Sequence, residues 1–421
     1  MTGRRGTWDL IVLGGGIVGC STALYAARRG MTCLIIERDG IGAAQSGRNL
    51  GFVRQQARDF RELPLMMSAI EVWKGMEADL GRSVGWRQGG TVTLAMGEAD
   101  LAIQRAWQHR AETEFGMDTR LLLPRETFET LPLLGPDTGI TGAIYTPSDG
   151  RAEPGRATRA IFEAALDLGV DVLVGEKASR IDISAGRITG VWVGNRLCRS
   201  NTIVCAAGSG SAALLRGVGL NLPQEKIRAT VARTERRSER LAACVSGPTT
   251  GIRQDANGAF IISVAGGEYD VRPDSWRHMR RYSATRKENP DAARINYLAP
   301  LQRLWPGRSA AVLGDIAPGD EGARAEPVRA QQAHSEFCTL FPAMADTVIE
   351  TTWAGYIDTL PDVVPAIGPV PAIDGLLVAT GFSGHGFGPG PMAGRVMAAL
   401  AEGCPAGVDL TGLSPDRFRT G

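Results

Sequence analysis

The chain opens with a short apolar run, Trp8 to Leu13, which leads straight into glycines. A run of that length without polar alternation predicts a strand buried on both faces. Ile17 to Arg29 is alanine-rich with helical periodicity and stops at Gly30, which predicts a helix. Met31 to Ile36 is a second apolar run, closed by Glu37. A similar pattern returns near the end of the chain. Residues 379–391 (ATGFSGHGFGPGP) form a second glycine cluster. Between these ends, Lys177 to Gly208 is β-rich.

The first strand, helix and strand form a βαβ unit whose turn carries Gly14, Gly16 and Gly19 in Gly-x-Gly-x-x-Gly spacing. Gly14 permits the tight turn, Gly16 lets the backbone approach a pyrophosphate, and Gly19 lets helix and sheet pack closely. Ile17 and Val18 open the helix, where free N–H groups and the positive dipole end favour phosphate. Glu37, at the tip of the second strand, can accept hydrogen bonds from ribose hydroxyls. The motif alone fits NAD or FAD equally.

Composition narrows the function. Formal net charge is +1, with 43% apolar and 22% charged residues. This balance argues against a nucleic-acid binder and favours a protein that handles small molecules. The seven cysteines are dispersed without a CxxC pair, and only four histidines occur, so neither a disulfide framework nor a metal site is expected. No apolar run is long enough to span a membrane, and glycines interrupt the leader-like start, so a cytoplasmic protein is expected. The arginines of 233–243 are mixed with acids and read as a solvated face. The basic stretch 269–291 reads as an exposed helix and loop, with a lid, a partner contact or a homo-oligomer contact as alternatives. Trp73, Trp86, Trp107 and Trp276 read as core or half-buried aromatics.

After Glu37 and Arg38 the chain continues GIGAAQSGRNLGFVRQQ. Together with Gly150–Val172, Lys177–Gly208 and Asp374–Gly403, this stretch resembles the FAD-dependent amine oxidoreductases of the D-amino acid oxidase superfamily. Sarcosine oxidase, glycine oxidase and D-amino acid dehydrogenases belong to it. The resemblance implies an α/β fold: a Rossmann-like FAD-binding domain of the glutathione-reductase type plus a mixed-sheet α+β substrate domain. The FAD domain would be discontinuous, 1–84, 146–222 and 345–421, with 85–145 and 223–344 forming the substrate domain. Ser46, Gly47, Arg48, Asn49, Leu50 and Gly51 would form the loop beneath the flavin. Arg38, Ala178, Ala207, Gly208 and Gly355 would also line the cofactor. In the late loop, Gly384, His385, Gly386, Phe387 and Gly388 would approach the flavin ring, and the helix beyond would point its N-terminus at the pyrimidine end.

The family oxidises amines by placing the substrate α C–H over flavin N5, so its protein groups mainly position the substrate. Arg54 matches the family's carboxylate-binding arginine, and with His385 it is the expected catalytic residue. Arg253 is a second carboxylate candidate. Gln55, Gln56, Tyr269 and Tyr356 are candidates for the substrate wall. Arg48, nearer the cofactor loop, serves the substrate or is a surface or phosphate-side arginine. Three departures matter. Gly355 stands where sarcosine oxidases hold flavin through cysteine, which implies noncovalent FAD. Gly388 replaces a lysine after Gly-His-Gly-Phe. Ala259–Val264 lacks the lysine that promotes oxygen reaction, so the acceptor is oxygen or another carrier. The expected substrate is an amino acid or related secondary amine. The alternatives are a 2-hydroxy acid, or a subunit of a heteromeric opine- or sarcosine-type enzyme that needs partners.

Overall fold

The computed structural model describes residues 6–272, 275–290, 292–298 and 322–418. Its first sheet has six strands, in the order Ala366–Pro369, Leu376–Thr380, Ile203–Cys205, Leu10–Leu13, Cys33–Glu37, Asp171–Val174. All neighbours run parallel except the first pair. The apolar runs are unbroken because both faces are covered. Leu10 and Val12 pack into the helical layer, whereas Ile11 and Leu13 pack against the antiparallel strands Ala178–Ser184, Arg187–Val193 and Arg196–Arg199.

Helices Ile17–Arg28 and Gly390–Ala401 lie side by side in that layer. A Cβ on Gly390 would stand 2.7 Å from Ile17 Cγ2, and one on Gly394 would stand 2.4 Å from Ser21 Cβ. The contact advances by the same turn on both helices, so they run parallel with their N-termini adjacent. The two glycine clusters, far apart in sequence, therefore present two positive dipole ends together.

Among the described residues the second sheet has ten strands. Glu225–Arg236 pairs antiparallel with Ala259–Val264 and with Ile349–Thr359. Helix Pro327–Leu340 covers this sheet, with Phe337 against Phe260 and Phe341. The expected boundary at 345 grouped Ile349–Thr359 with the nucleotide-binding part, but the structure pairs it with the second sheet. Its pattern explains the difference: Ala354, Tyr356 and Asp358 alternate inward, as in a half-buried antiparallel strand. Short strands Phe52–Val53, Gly150–Arg151 and Arg87–Gln88 form a small separate sheet.

In the basic stretch, Ser275–Arg277 is one 3-10 turn and Ser283–Glu288 a short helix; residues 273, 274 and 291 lie outside the described residues. Trp276 corrects an expectation: it is 74% exposed, because that turn has no buried position. Trp73 is fully buried, and Trp86 and Trp107 are half-buried. Among the described residues no helix is long and apolar enough to cross a membrane.

Candidate active site

The first glycine turn is sterically closed to other residues. Gly14 has φ +111°, and a Cβ there would stand 2.4 Å from the Ala206 carbonyl oxygen, so Ala207 and Gly208 follow directly beside the turn. Gly16 caps helix Ile17–Arg28 without a side chain, and Ile17 N–H donates to Ser46 Oγ at 2.9 Å. Val18 and Gly19 complete this first turn, whose donors suit an anion. Glu37 accepts from Gly15 N–H at 2.6 Å and from Asp39 N–H at 2.7 Å. Its own carbonyl accepts from Glu176 N–H at 3.0 Å, which brings the strand starting at Ala178 to the acidic tip. Arg38 turns outward to Asp39 at 2.8 Å.

The loop after Glu37 is held from within. Asn49 Nδ2 donates to the Gln45 and Ser46 carbonyls, and Asn49 Oδ1 accepts from Gly51 N–H at 2.8 Å. Gly47 is buried in the same turn. Buried Arg48 donates to the carbonyls of Ala43 at 2.8 Å and Ala354 at 3.0 Å, and Trp353 Nε1 donates to the Arg48 carbonyl at 2.9 Å. Arg48 thus ties the loop to strand Ile349–Thr359, next to Gly355. This corrects both expected roles for Arg48, because its guanidinium is buried on backbone carbonyls of two segments.

Asp358 is the junction of this region. Its carboxylate accepts from Gln45 Nε2 at 2.6 Å, Gln224 Nε2 at 2.9 Å, Gly381 N–H at 2.8 Å and Thr380 Oγ1 at 3.3 Å. Burial pushes its pKa upward while these donors pull it back. Gln224 and Thr380 also donate to the Gly208 carbonyl. One carboxylate therefore joins the loop at Gln45 and the late glycine loop, and through Gln224 and Thr380 the turn at Gly208.

The late loop leans on helix Leu63–Leu80. Trp73 Nε1 donates to the Gly388 carbonyl at 2.7 Å, and the Phe387 ring packs on Trp73 with centroids 5.1 Å apart. Gly384 is exposed, and half-buried His385 and Gly386 follow it. His385 Nδ1 lies 3.4 Å from Glu62 Oε2, without hydrogen-bond alignment. Desolvation and the Arg58 guanidinium lower the His385 pKa below 6.5, and Glu62 opposes them. The neutral imidazole is therefore favoured more than in a free histidine. Arg58 donates to the carbonyls of Arg54 at 3.1 Å and His385 at 3.2 Å. Arg54 donates to Ser246 Oγ at 3.4 Å. Behind it, fully buried Asp149 accepts from Gln55 N–H at 2.7 Å, and burial lifts its pKa to about 6.

The geometry suits a dinucleotide phosphate at the paired helix N-termini and a reacting centre beside His385. A family model described as FAD dependent oxidoreductase (DAO) matches residues 9–400. The chain belongs to this family. One chain of a Rhizobium meliloti opine oxidase is 28% identical over 264 residues, covering 60% of this chain and 69% of the relative. Human mitochondrial sarcosine dehydrogenase is 25% identical over 237 residues, 55% of this chain, and the match spans only 26% of that relative's length. The solved L-amino acid deaminase of Proteus myxofaciens aligns with TM-score 0.87 at 22% identity, covering 100% of this chain and 95% of that one. The α/β architecture is thus that of the FAD-dependent family. The protein is an FAD-dependent oxidoreductase. The uncapped helix starts, the closed glycine turn and the acidic strand tip fit FAD.

Within that family frame, the structure gathers Arg54 and His385 but not every expected substrate residue. Gln56 is a correction: it is fully buried, its Nε2 donates to the Thr91 and Ile144 carbonyls and to Thr146 Oγ1, and its Oε1 accepts from Thr93. No polar atom of its amide remains for a ligand. Arg253 is another: Glu153 closes its fork at 3.0 and 3.2 Å, and its Nε donates to the Leu50 carbonyl. It braces the loop from below. Tyr269 donates to Glu225 at 3.1 Å and Tyr356 to Asp270 at 3.3 Å, both within polar clusters of the second sheet. Arg58, Glu62, Asp149 and Asp358 escaped the sequence reading. Arg54, Arg58 and Glu62 fall at intervals of four, a charge spacing that was the available signal for the first two.

Proposed function

We propose that the protein oxidises the C–N bond of an amino acid or related secondary amine. FAD, when bound, supplies the hydride acceptor at N5. The substrate loses a hydride from its α-carbon and a proton from nitrogen, leaving an imine that water hydrolyses to a keto acid or aldehyde plus amine. Oxygen or another carrier then takes the two electrons. Arg54 anchors the substrate carboxylate through its planar fork. His385, whose pKa is lowered by burial and by Arg58, has a ring nitrogen lone pair able to take the ammonium proton; only the neutral amine so formed can release hydride. The observation that carries this reading is the His385 ring on the glycine loop, 3.4 Å from Glu62, with Arg58 joining the His385 and Arg54 carbonyls in a chain of the FAD-dependent oxidoreductase family. Gly355 offers no side chain for covalent attachment, so FAD is held noncovalently. The first sheet with its helices forms the FAD-binding part, and the second sheet supplies the substrate wall.

The test is anaerobic addition of amines, amino acids and hydroxy acids to the flavin-loaded protein while its visible absorption is followed. Bleaching by amines alone supports this reading, and bleaching by hydroxy acids alone sinks it. Admission of air then separates oxidase from dehydrogenase. The likeness to one chain of an opine oxidase favours a second reading, in which this chain works only with a partner. Turnover of an amine by the purified single chain would exclude that.

A further inference from the structure

Arg58 is given no contact with substrate in the proposed reaction, yet its environment is unusual. It is 5% exposed. Nε and Nη2 are fixed on the carbonyls of Arg54 and His385, but Nη1 is buried with no hydrogen-bond partner among the described residues. A buried guanidinium N–H without an acceptor is costly and points to an absent ligand. The Glu62 carboxylate lies beside His385 Nδ1, at 3.4 Å. Burial brings the Arg58 pKa down to about 10, so it stays cationic at neutral pH. Its bond to the His385 carbonyl sets this cation against the glycine loop, where Gly388 itself offers no charge.

We propose that Arg58 is a specificity-determining residue whose Nη1 takes one oxygen of the substrate carboxylate beside the Gly384–Gly388 loop. The site then selects amines that carry a carboxylate over their amides. The proposal rests on the amine-oxidising reading, with Arg54 as the other anchor.

The flavin-loaded full chain is titrated with benzoate and with benzamide, following the flavin spectrum and, separately, thermal protection. Wild type is expected to prefer benzoate. Arg58→Met should weaken benzoate by roughly 10- to 100-fold and leave benzamide nearly unchanged. Arg58→Lys, which keeps charge but not the fork, should lose less. Equal weakening of both probes, or benzoate binding unaffected in both variants, overturns the proposal. So does a wild type that fails to distinguish the probes, which needs no variant to fold. Benzoate selectivity without any bleaching by amines would sink the functional reading and leave the carboxylate site standing.

Discussion

Asp358 accepts a hydrogen bond from Gln45 at 2.6 Å, which binds a strand of the second sheet to the loop expected under the flavin. All four of its donors are fixed, and three of them are the Gln224 amide, Thr380 hydroxyl and Gly381 N–H. Asp358→Asn would turn an amide NH2 toward at least one of these donors. The variant should lose roughly 3 kcal/mol of stability and bind FAD more weakly. Chemical denaturation and fluorescence titration with FAD check the two effects. Unchanged FAD affinity would mean that the junction does not position the cofactor loop.

His385 should set the acid limb of kcat/KM in substrate-activity profiles. Burial and Arg58 lower its pKa from the ordinary histidine value, so activity should fall as pH drops through that lowered pKa, on the acid side of a free histidine. The neighbours pull in opposite directions. Removing the Glu62 charge in Glu62→Gln takes away an influence that raises the pKa, so the limb moves to lower pH. Removing the Arg58 charge in Arg58→Met takes away one that lowers it, so the limb moves up. His385→Asn should abolish the limb and cost roughly 100-fold in kcat/KM. A limb that persists in His385→Asn would assign it to another group.

What was legible in the sequence follows from how local each signal is. The Gly14–Gly19 turn, its helix and Glu37 are contiguous, and spacing alone marks them. The late loop was legible for the same reason, since a strand, glycines and a helix again stand in line. The residues that missed are those whose meaning lies in distant partners. Asp358 looks like an ordinary strand residue until Gln45 and Gln224 fold onto it. Arg253 looked free because Glu153, from a different segment, was not visible as its counter-ion. Gln56 looked like a wall residue because nothing in the sequence shows that carbonyls of two strands converge on its amide. The pairing of Ile349–Thr359 with Glu225–Arg236 was likewise non-local, although its alternation was there to read.

The parallel contact of the two glycine-led helices can be tested without ligand. Gly394→Ala places a methyl 2.4 Å from Ser21 Cβ and 2.6 Å from Thr22 N. The helices must separate or rotate, which should cost about 1–3 kcal/mol. Because a backbone atom also blocks the methyl, Ser21→Gly should not restore stability. Full rescue in the double variant would show that the side chain alone sets the spacing. FAD affinity should fall alongside stability, since the two N-termini would no longer lie together.

Asp149 gives a pH signature with a definite sign. Its folded pKa is about 6, against roughly 3.9 for an unfolded aspartate. The folded protein therefore holds this proton more tightly, and the associated stabilisation is complete below about pH 4. It is lost as pH rises through 6, by up to about 3 kcal/mol for so large a shift. Asp149→Asn cannot titrate there, but it also sacrifices an acceptor for the Gln55 N–H, so its absolute stability is lower. The informative quantity is the difference in unfolding free energy between wild type and variant. Groups common to both proteins largely cancel in it, and it should shrink between about pH 4 and pH 7. If it grew instead, Arg54 would be stabilising the ionised carboxylate beyond the burial penalty, and Asp149 would be a buried partner of the substrate-binding arginine.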